Sequence, residues 1–322
     1  MNNPFVGLFI GLLITAILQS SSTTTSLAVA FVASGAITPQ SAVPIIMGAN
    51  IGTTITAMIV SLGFISKKKE FKRATAAASY HVFFNLLTAA VLFPLEYNGE
   101  FLSRLSGKIS QQIFAPAAKL VPVPGLPKGI FDQLAELLNR FLPSPFIVIA
   151  AALILLFLSI LLFRRLISNL LKAKSPEAFS RFFFTNHWKS FGWGLLTTAA
   201  IRSSTITTSI VVPIVAKKIA TLKQAAPFIM GANVGTTVTA FIAASFYGYT
   251  QSAVSIAIVH FLFNFIGVIL FLPIPFLNMI PLRLAAGLGK ITMRYRLAGF
   301  IFLLLIFFII PFSLIYLFQI PA

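Results

Sequence analysis

Apolar runs of about twenty residues recur along this chain, and they restrict its fold more than any other feature. A helix of about twenty apolar residues crosses the ~30 Å hydrocarbon core of a bilayer. The 322 residues are 58% hydrophobic and 9% charged, with a mean hydropathy of +0.96, whereas about 25% of the residues in a soluble domain are charged. The sequence therefore predicts an all-α polytopic membrane protein and argues against a soluble enzyme.

The surplus of positive charge indicates topology. The chain has 24 Lys and Arg residues against 6 Asp and Glu, a formal net charge of +18. Because Lys and Arg concentrate in the cytoplasmic loops of membrane proteins, we predict contact with a lipid bilayer and none with nucleic acid. Four basic clusters fall on the cytoplasmic side in this interpretation: residues 67–73, 164–189, 217–223 and 283–296. The predicted location is the cell membrane, which is the inner membrane if the source is bacterial.

A segment that begins with a Ser/Thr-rich motif occurs twice, 183 residues apart. Between Ser20–Ala57 and Ser203–Ala240, 21 of 38 aligned positions are identical. The loop that follows the first copy, residues 66–73, is basic, whereas the equivalent loop at 246–251 carries no charge. Equivalent loops are therefore expected on opposite sides of the membrane. This predicts two inverted-topology repeats, the arrangement on which many secondary transporters build alternating access.

Each repeat is predicted to contain a re-entrant helical hairpin, a broken transmembrane helix and an unbroken one. Repeat 1 covers residues 1–96, with these elements at 4–35, 40–64 and 74–95. Repeat 2 covers residues 191–296, with these elements at 191–215, 224–246 and 253–272. The remaining segments are an extracellular amphipathic segment at 97–143, a transmembrane helix with a basic cytoplasmic linker at 144–190, and a C-terminal transmembrane helix at 297–322.

The two Ser/Thr-rich motifs are the predicted tips of the hairpins. Every residue from 20 to 26 carries a hydroxyl, and so do six of the seven residues from 203 to 209. Helix N-termini and hydroxyls at such tips suit an oxyanion such as phosphate, and two mid-span asparagines add side-chain amides. The predicted phosphate ligands are Ser20, Ser21, Ser22, Ser203, Ser204, Thr205, Asn50 and Asn233. Close helix packing through small residues is the alternative.

Sodium is the predicted coupling ion and the only predicted metal. Hydroxyl, amide and unwound carbonyl oxygens suit a hard cation such as Na⁺, and two Gly-Ala-Asn-x-Gly-Thr-Thr motifs, at 48–54 and 231–237, place them where glycines weaken a helix. The predicted sodium ligands are Thr23, Thr24, Thr53, Thr54, Thr207, Thr208, Thr236 and Thr237. With no Cys and three His far apart in sequence, we predict no transition-metal site and no other cofactor.

Three further residues have more than one interpretation. Arg202 aligns with Gln19 and lies inside an otherwise uncharged, membrane-length stretch. It is a phosphate ligand, a fixed positive charge that biases the transport cycle, or a side chain that snorkels to the cytoplasmic interface. His81 and His260 are equivalent in the two repeats and are either proton carriers or helix-packing residues. Because the sequence places no acid at membrane depth, it argues against a membrane hydrolase.

These motifs resemble those of the type II sodium–phosphate cotransporters and their bacterial relatives. The resemblance rests on Gln-Ser-Ser-Ser at 19–22, on both Gly-Ala-Asn-x-Gly-Thr-Thr motifs and on Phe-Lys-Arg-Ala at 71–74, and it covers nearly the whole chain. It implies that residues 19–22 and their second copy bind substrate and sodium, and it adds Gln19 to the predicted phosphate ligands. The second copy departs from the family pattern at Arg202 and Thr205, and Val82 stands where animal members have Asp.

The leading hypothesis is a secondary active transporter that carries inorganic phosphate with sodium. It works by alternating access around a midplane site formed by the two hairpin tips. Another oxyanion as the substrate, or protons as the driving ion, would keep the same fold. A non-transporting phosphate sensor or scaffold is the hypothesis from a different class. The sequence leaves homo-oligomerisation open.

Overall fold

The computed structural model describes residues 3–114, 147 and 176–319 and confirms the predicted all-α class for them, since they contain helices and no strand. The helices before the long gap are α1 (Pro4–Leu18), α2 (Ser21–Ala33), α3 (Pro39–Gly52), α4 (Ile55–Leu62), α5 (Lys68–Gly99) and α6 (Phe101–Ile109). The helices after it are α7 (Pro176–Phe183), α8 (His187–Ile201), α9 (Ser204–Ala216), α10 (Leu222–Gly235), α11 (Val238–Ser245), α12 (Gln251–Phe271), α13 (Pro275–Arg294), α14 (Ala298–Leu304) and α15 (Ile310–Gln319). Short π-helical turns follow α6 and α14, at Ser110–Phe114 and Leu305–Ile309.

The chain divides into two compact units. The first comprises Met1–Pro122 and Ser180–Ala322, and it contains both Ser/Thr-rich motifs. The second comprises Val123–Phe179. Most of the predicted transmembrane helix and linker at 144–190, and the predicted outer segment beyond residue 114, lie outside the described residues. The site is therefore described within the first unit.

Five helical stretches are long and apolar enough to cross a membrane. They are Pro39–Leu62, Lys68–Gly99, Leu222–Ser245, Gln251–Phe271 and Ala298–Phe318. Each overlaps one of the transmembrane helices that the sequence predicts. The helices α1, α2 and α9 are apolar but shorter, and they are among the four predicted hairpin arms.

The sequence repeat is also a repeat of helices. Adding 183 to the bounds of α1, α2, α3 and α4 gives the bounds of α8, α9, α10 and α11. The break between α3 and α4 falls on Thr53 and Thr54, and the break between α10 and α11 falls on Thr236 and Thr237. The same local sequence therefore produces the same breaks twice, while the orientation of each repeat in a membrane stays a prediction.

Glycines let the first helix of each repeat pack directly on the third. A Cβ built on Gly11 of α1 would overlap the carbonyl oxygen of Ile45 on α3, and a Cβ built on Gly194 of α8 would overlap that of Phe228 on α10. Only a residue without a side chain permits this approach of two backbones. The first helix of each predicted hairpin is thereby packed tightly on the third helix of its own repeat.

Two basic clusters meet at one end of the helices. Lys217 Nζ lies 2.8 Å from Glu70 Oε2, and Arg73 Nε donates a hydrogen bond to the carbonyl oxygen of Ala216 (2.7 Å). The guanidinium thus satisfies a carbonyl at the C-terminus of α9, where a positive charge is favourable. The sequence assigns both clusters to the cytoplasmic side, and in the structure they lie together.

Helix α13 is the element that the sequence analysis missed. The sequence predicts only a basic cytoplasmic cluster at residues 283–296, whereas the structure has a 20-residue helix from Pro275 to Arg294. One face of it is buried, and Gly289 lies against the backbone of Lys72 on α5. The basic residues interrupt the apolar run, so hydropathy does not indicate this helix, which lies along others and buries only one stripe of side chains.

A buried acid joins α5 to α6. The Glu96 side chain is 6% exposed, and its Oε2 accepts hydrogen bonds from the backbone N–H groups of Leu102 (2.7 Å) and Ser103 (3.2 Å). Its Oε1 accepts another from the Ser103 hydroxyl. The carboxylate satisfies N–H groups that have no partner within α6, and this explains how an acid is buried at the end of a predicted span.

Candidate functional site

The tip of the first hairpin is a tight turn with one residue in the left-handed conformation. Gln19, at the end of α1, has φ 53° and ψ 29°, and Ser20 is extended with φ −145° and ψ 99°. The Ser20 hydroxyl accepts a hydrogen bond from the backbone N–H of Thr23 (3.2 Å) and so caps α2. A left-handed residue ends one helix and an N-cap serine begins the next.

The tip of the second hairpin has the same conformation. Arg202 has φ 59° and ψ 27°, and Ser203 has φ −145° and ψ 104°. The Ser203 hydroxyl accepts a hydrogen bond from the N–H of Ile206 (3.3 Å) and caps α9. Arg202 thus replaces Gln19 without changing the backbone, so at this position the two tips differ in charge and not in conformation.

The two tips meet. The Ser22 hydroxyl on α2 donates a hydrogen bond to the carbonyl oxygen of Arg202 (3.5 Å), across 180 residues of sequence. Ser21 and Ser204 are 4% and 2% exposed, while Gln19 and Arg202 point to more open surroundings. The N-termini of α2 and α9, with their hydroxyl-bearing first turns, therefore lie beside one another.

This arrangement is suited to an anion. The first N–H groups of a helix have no partner inside the helix, and the dipole places partial positive charge there. Two such ends, with the hydroxyl of Thr205 and the guanidinium of Arg202 nearby in sequence, supply the donors that an oxyanion needs. Of the predicted phosphate ligands, Ser22 and Arg202 are in contact across the two repeats. The other predicted ligands at the tips are their neighbours in sequence: Gln19, Ser20, Ser21, Ser203, Ser204 and Thr205.

Most of the predicted sodium ligands use their hydroxyl protons within the local helix. Thr24 and Thr207 donate to the carbonyl oxygens of the N-cap serines, at 3.2 Å and 3.0 Å. Five others lie in comparable short-range hydrogen bonds: Thr23, Thr53, Thr54, Thr208 and Thr237. A hydroxyl that donates its proton still has oxygen lone pairs for a cation, so the sodium assignment stays a prediction.

Thr236 is different from its counterpart in the first repeat. Its hydroxyl is buried and has no hydrogen-bond partner among the residues that the structure describes, whereas the Thr53 hydroxyl donates to the carbonyl oxygen of Ala49 (2.9 Å). A buried polar atom without a partner is unfavourable. The second break therefore offers a hydroxyl oxygen that nothing else in this part of the protein occupies.

The two mid-span asparagines are hydrogen-bonded inside the protein. Asn50 Oδ1 accepts a hydrogen bond from His260 Nε2 (3.2 Å), and Asn233 Oδ1 accepts one from His81 Nε2 (2.7 Å). All four side chains are at most 5% exposed. The two pairs are equivalent under the repeat, but the sequence does not show which histidine contacts which asparagine.

Acidic and imidazole ligands do not cluster around either tip. Within the described ranges, no three His, Cys, Asp or Glu side chains are placed where they could hold a metal ion together.

Comparisons with known proteins identify the family of this chain. The family model of the Na+/Pi-cotransporter matches residues 1–106 and 155–308. The sodium-dependent phosphate transport protein 2B of Homo sapiens is 30% identical over 405 residues, covering 97% of this chain and 58% of the human protein. Protein 2B of Bos taurus is 31% identical over the same shares of each chain, and protein 2A of Ovis aries is 30% identical over 97% of this chain and 60% of its own length. This chain thus spans about three fifths of these relatives. No solved structure matches.

Proposed function

Because the chain belongs to the Na+/Pi-cotransporter family, we propose that it carries inorganic phosphate across the cell membrane together with sodium ions. In this proposal the two hairpin tips form the site for both. The contact between the Ser22 hydroxyl and the Arg202 carbonyl oxygen supports the proposal most, because it places two helix N-termini from different repeats side by side. The sodium dependence and the substrate are those named for the relatives.

Phosphate and sodium bind to different atoms of the proposed site. Phosphate receives hydrogen bonds from the N–H groups and hydroxyls at the starts of α2 and α9, and Arg202 adds a positive charge. Sodium is held by neutral oxygens of the neighbouring threonines, Thr236 among them, and offsets the charge of the anion. Because each repeat contributes one tip, movement of one repeat against the other would open the site to alternate sides.

Uptake of phosphate by the purified protein in liposomes tests this function. We expect uptake of labelled phosphate when the outside solution contains sodium, and at least about tenfold less when potassium replaces sodium. Liposomes without protein are the control. Equal uptake in sodium and potassium would contradict sodium coupling. Uptake that follows a pH gradient instead would identify protons as the driver, and stronger competition by sulfate than by unlabelled phosphate would identify another oxyanion as the substrate.

Arg202→Gln is expected to weaken phosphate binding without unfolding the protein. Glutamine already occupies the equivalent left-handed position in the first tip, so the backbone of the turn is retained. Loss of a charged hydrogen bond to phosphate should raise the half-saturating phosphate concentration about tenfold to a hundredfold. Lys223→Gln, an exposed charge at the start of α10, is the control. An unchanged half-saturating concentration in the Arg202 variant would show that the guanidinium does not contact phosphate.

A further inference from the structure

A buried hydrogen-bonded cluster connects the long helix of the first repeat to the broken helix of the second. His81 Nε2 donates to Asn233 Oδ1 (2.7 Å), and Asn233 Nδ2 donates to Asn85 Oδ1 (3.5 Å). Asn85 Nδ2 in turn donates to the carbonyl oxygen of His81 (3.0 Å). Both hydrogen-bonding atoms of the Asn233 amide are therefore used by side chains of α5. We name His81, Asn85 and Asn233 the first cluster.

A second cluster connects the long helix of the second repeat to the broken helix of the first. His260 Nε2 and Asn264 Nδ2, both on α12, donate to Asn50 Oδ1 on α3, at 3.2 Å and 3.0 Å. Asn50 Nδ2 donates to the carbonyl oxygen of Ile46 (2.8 Å), so both polar atoms of this side-chain amide are hydrogen-bonded. The second cluster consists of His260, Asn264 and Asn50. Each repeat thus supplies the histidine of one cluster and the central asparagine of the other.

The histidines are arranged as hydrogen-bond donors. An amide Oδ1 only accepts, so each imidazole carries its proton on Nε2. The Nδ1 atoms of His81 and His260 are buried, and neither has a hydrogen-bond partner among residues 3–114 and 176–319. A proton relay requires a second partner on the other ring nitrogen. The arrangement therefore favours a fixed structural connection over the proton carrier that the sequence left open.

Each cluster is connected to a hairpin tip by close packing. Asn233 lies on α10, whose backbone is in contact with α8 at Gly194 and Gly231, and α8 ends at the second tip. In the same way α3, which carries Asn50, packs on α1 through Gly48. The glycine contacts leave no space between the two helices of each pair. A shift of either asparagine therefore moves the neighbouring helix, and with it the tip of that repeat.

We propose that His81 and His260 are positioning residues that act through Asn233 and Asn50. Each histidine holds the hairpin tip of the other repeat in register, and so determines phosphate affinity without touching phosphate. The effect on affinity rests on the proposed transport function, whereas the effect on tip alignment does not. In this proposal Asn50 and Asn233, which the sequence analysis predicted as phosphate ligands, orient the site instead of lining it.

His81→Phe and His81→Gln test the first cluster through transport. Phenylalanine keeps an aromatic ring but removes the donor, and it should raise the half-saturating phosphate concentration about tenfold. Glutamine supplies an N–H at a similar reach and should restore the half-saturating concentration to within about twofold. Equal impairment by both variants, or a loss of folded protein with an unchanged half-saturating concentration, would overturn the positioning role.

A double-mutant cycle separates the two clusters. His81→Phe combined with Asn233→Leu should be no worse than Asn233→Leu alone, because Asn233→Leu already removes the acceptor of the His81 hydrogen bond. His81→Phe combined with Asn50→Leu, which breaks the second cluster as well, should multiply the two effects. Multiplication in the first pair would show that His81 does not act through Asn233.

Cross-linking of the tips gives a readout that does not depend on transport. The chain has no cysteine, so Ser22→Cys together with Ser203→Cys introduces the only two thiols. They lie at the tip contact, where the Ser22 hydroxyl is 3.5 Å from the carbonyl oxygen of Arg202. We expect a short thiol cross-linker to join them readily in the parent, poorly with His81→Phe, and readily again with His81→Gln. If this pattern holds but the protein with Ser22 and Ser203 intact transports no phosphate, the proposed function fails and the positioning of the tips stands. Equal cross-linking in all three proteins overturns the positioning role.

Discussion

Gly194→Ala should separate α8 from α10 and leave little folded protein, whereas Gly192→Ala, two residues away on the same helix, should be tolerated. A Cβ on Gly194 would overlap the carbonyl oxygen of Phe228, and neither backbone can retreat without pulling the two helices apart. An added methyl group in a packed core lowers the free energy of unfolding by about 1–3 kcal/mol when neighbouring side chains can move aside. Backbone atoms move aside less easily than side chains. We therefore expect the free energy of unfolding to fall by at least about 3 kcal/mol.

Thermal unfolding of the purified protein in detergent measures this difference. In the described part of the chain, a Cβ on Gly192 would have no atom within 4 Å, and alanine is about 1 kcal/mol better than glycine inside a helix. The Gly192→Ala protein should therefore have the same unfolding temperature as the parent protein, or a slightly higher one. Gly11→Ala, the counterpart in the first repeat, should be as damaging as Gly194→Ala. A Gly194→Ala protein that unfolds at the parent temperature would show that the helices do not pack through this glycine.

The repeated part of the fold was predictable because its signals are local. Apolar runs give the helices, the Gly-Thr-Thr sequences give the breaks, and the shared offset aligns the two copies. The conformation of the tips also follows from local sequence, since Ser20 and Ser203 are favourable N-caps that directly precede helices. Even the substitution of Gln19 by Arg202 leaves the turn unchanged.

What the sequence did not reveal depends on contacts between distant residues. Nothing near His81 in the chain indicates Asn233, which is 152 residues away. Nor does local hydropathy distinguish α13, a helix with one buried stripe, from a basic loop. Glu96 was assigned outside the bilayer core as an acid, but its burial depends on the turn into α6 that supplies its donors. These features follow from tertiary packing, which pattern and propensity do not encode.

Ser22→Asp should abolish phosphate uptake while leaving the protein folded, the largest functional effect that we expect. Ser22 is the second residue of α2, where a negative side chain is favoured by about 0.3–1 kcal/mol because of the helix dipole. The same carboxylate would lie at the tip contact, beside the proposed anion. Two like charges about 4 Å apart repel by about 4 kcal/mol at an effective dielectric of about 20. That repulsion corresponds to a loss of affinity of about a thousandfold.

Ser22→Asn is the matched variant, since it has the size of aspartate without the charge. It should raise the half-saturating phosphate concentration far less, by about tenfold or less. Ser34→Asp, an exposed position at the other end of α2, controls for the added charge and should transport as the parent does. Thr205→Asp at the second tip should reproduce the loss, because the proposed anion lies between both helix N-termini. Sodium-driven uptake that survives both Ser22→Asp and Thr205→Asp would place the anion elsewhere.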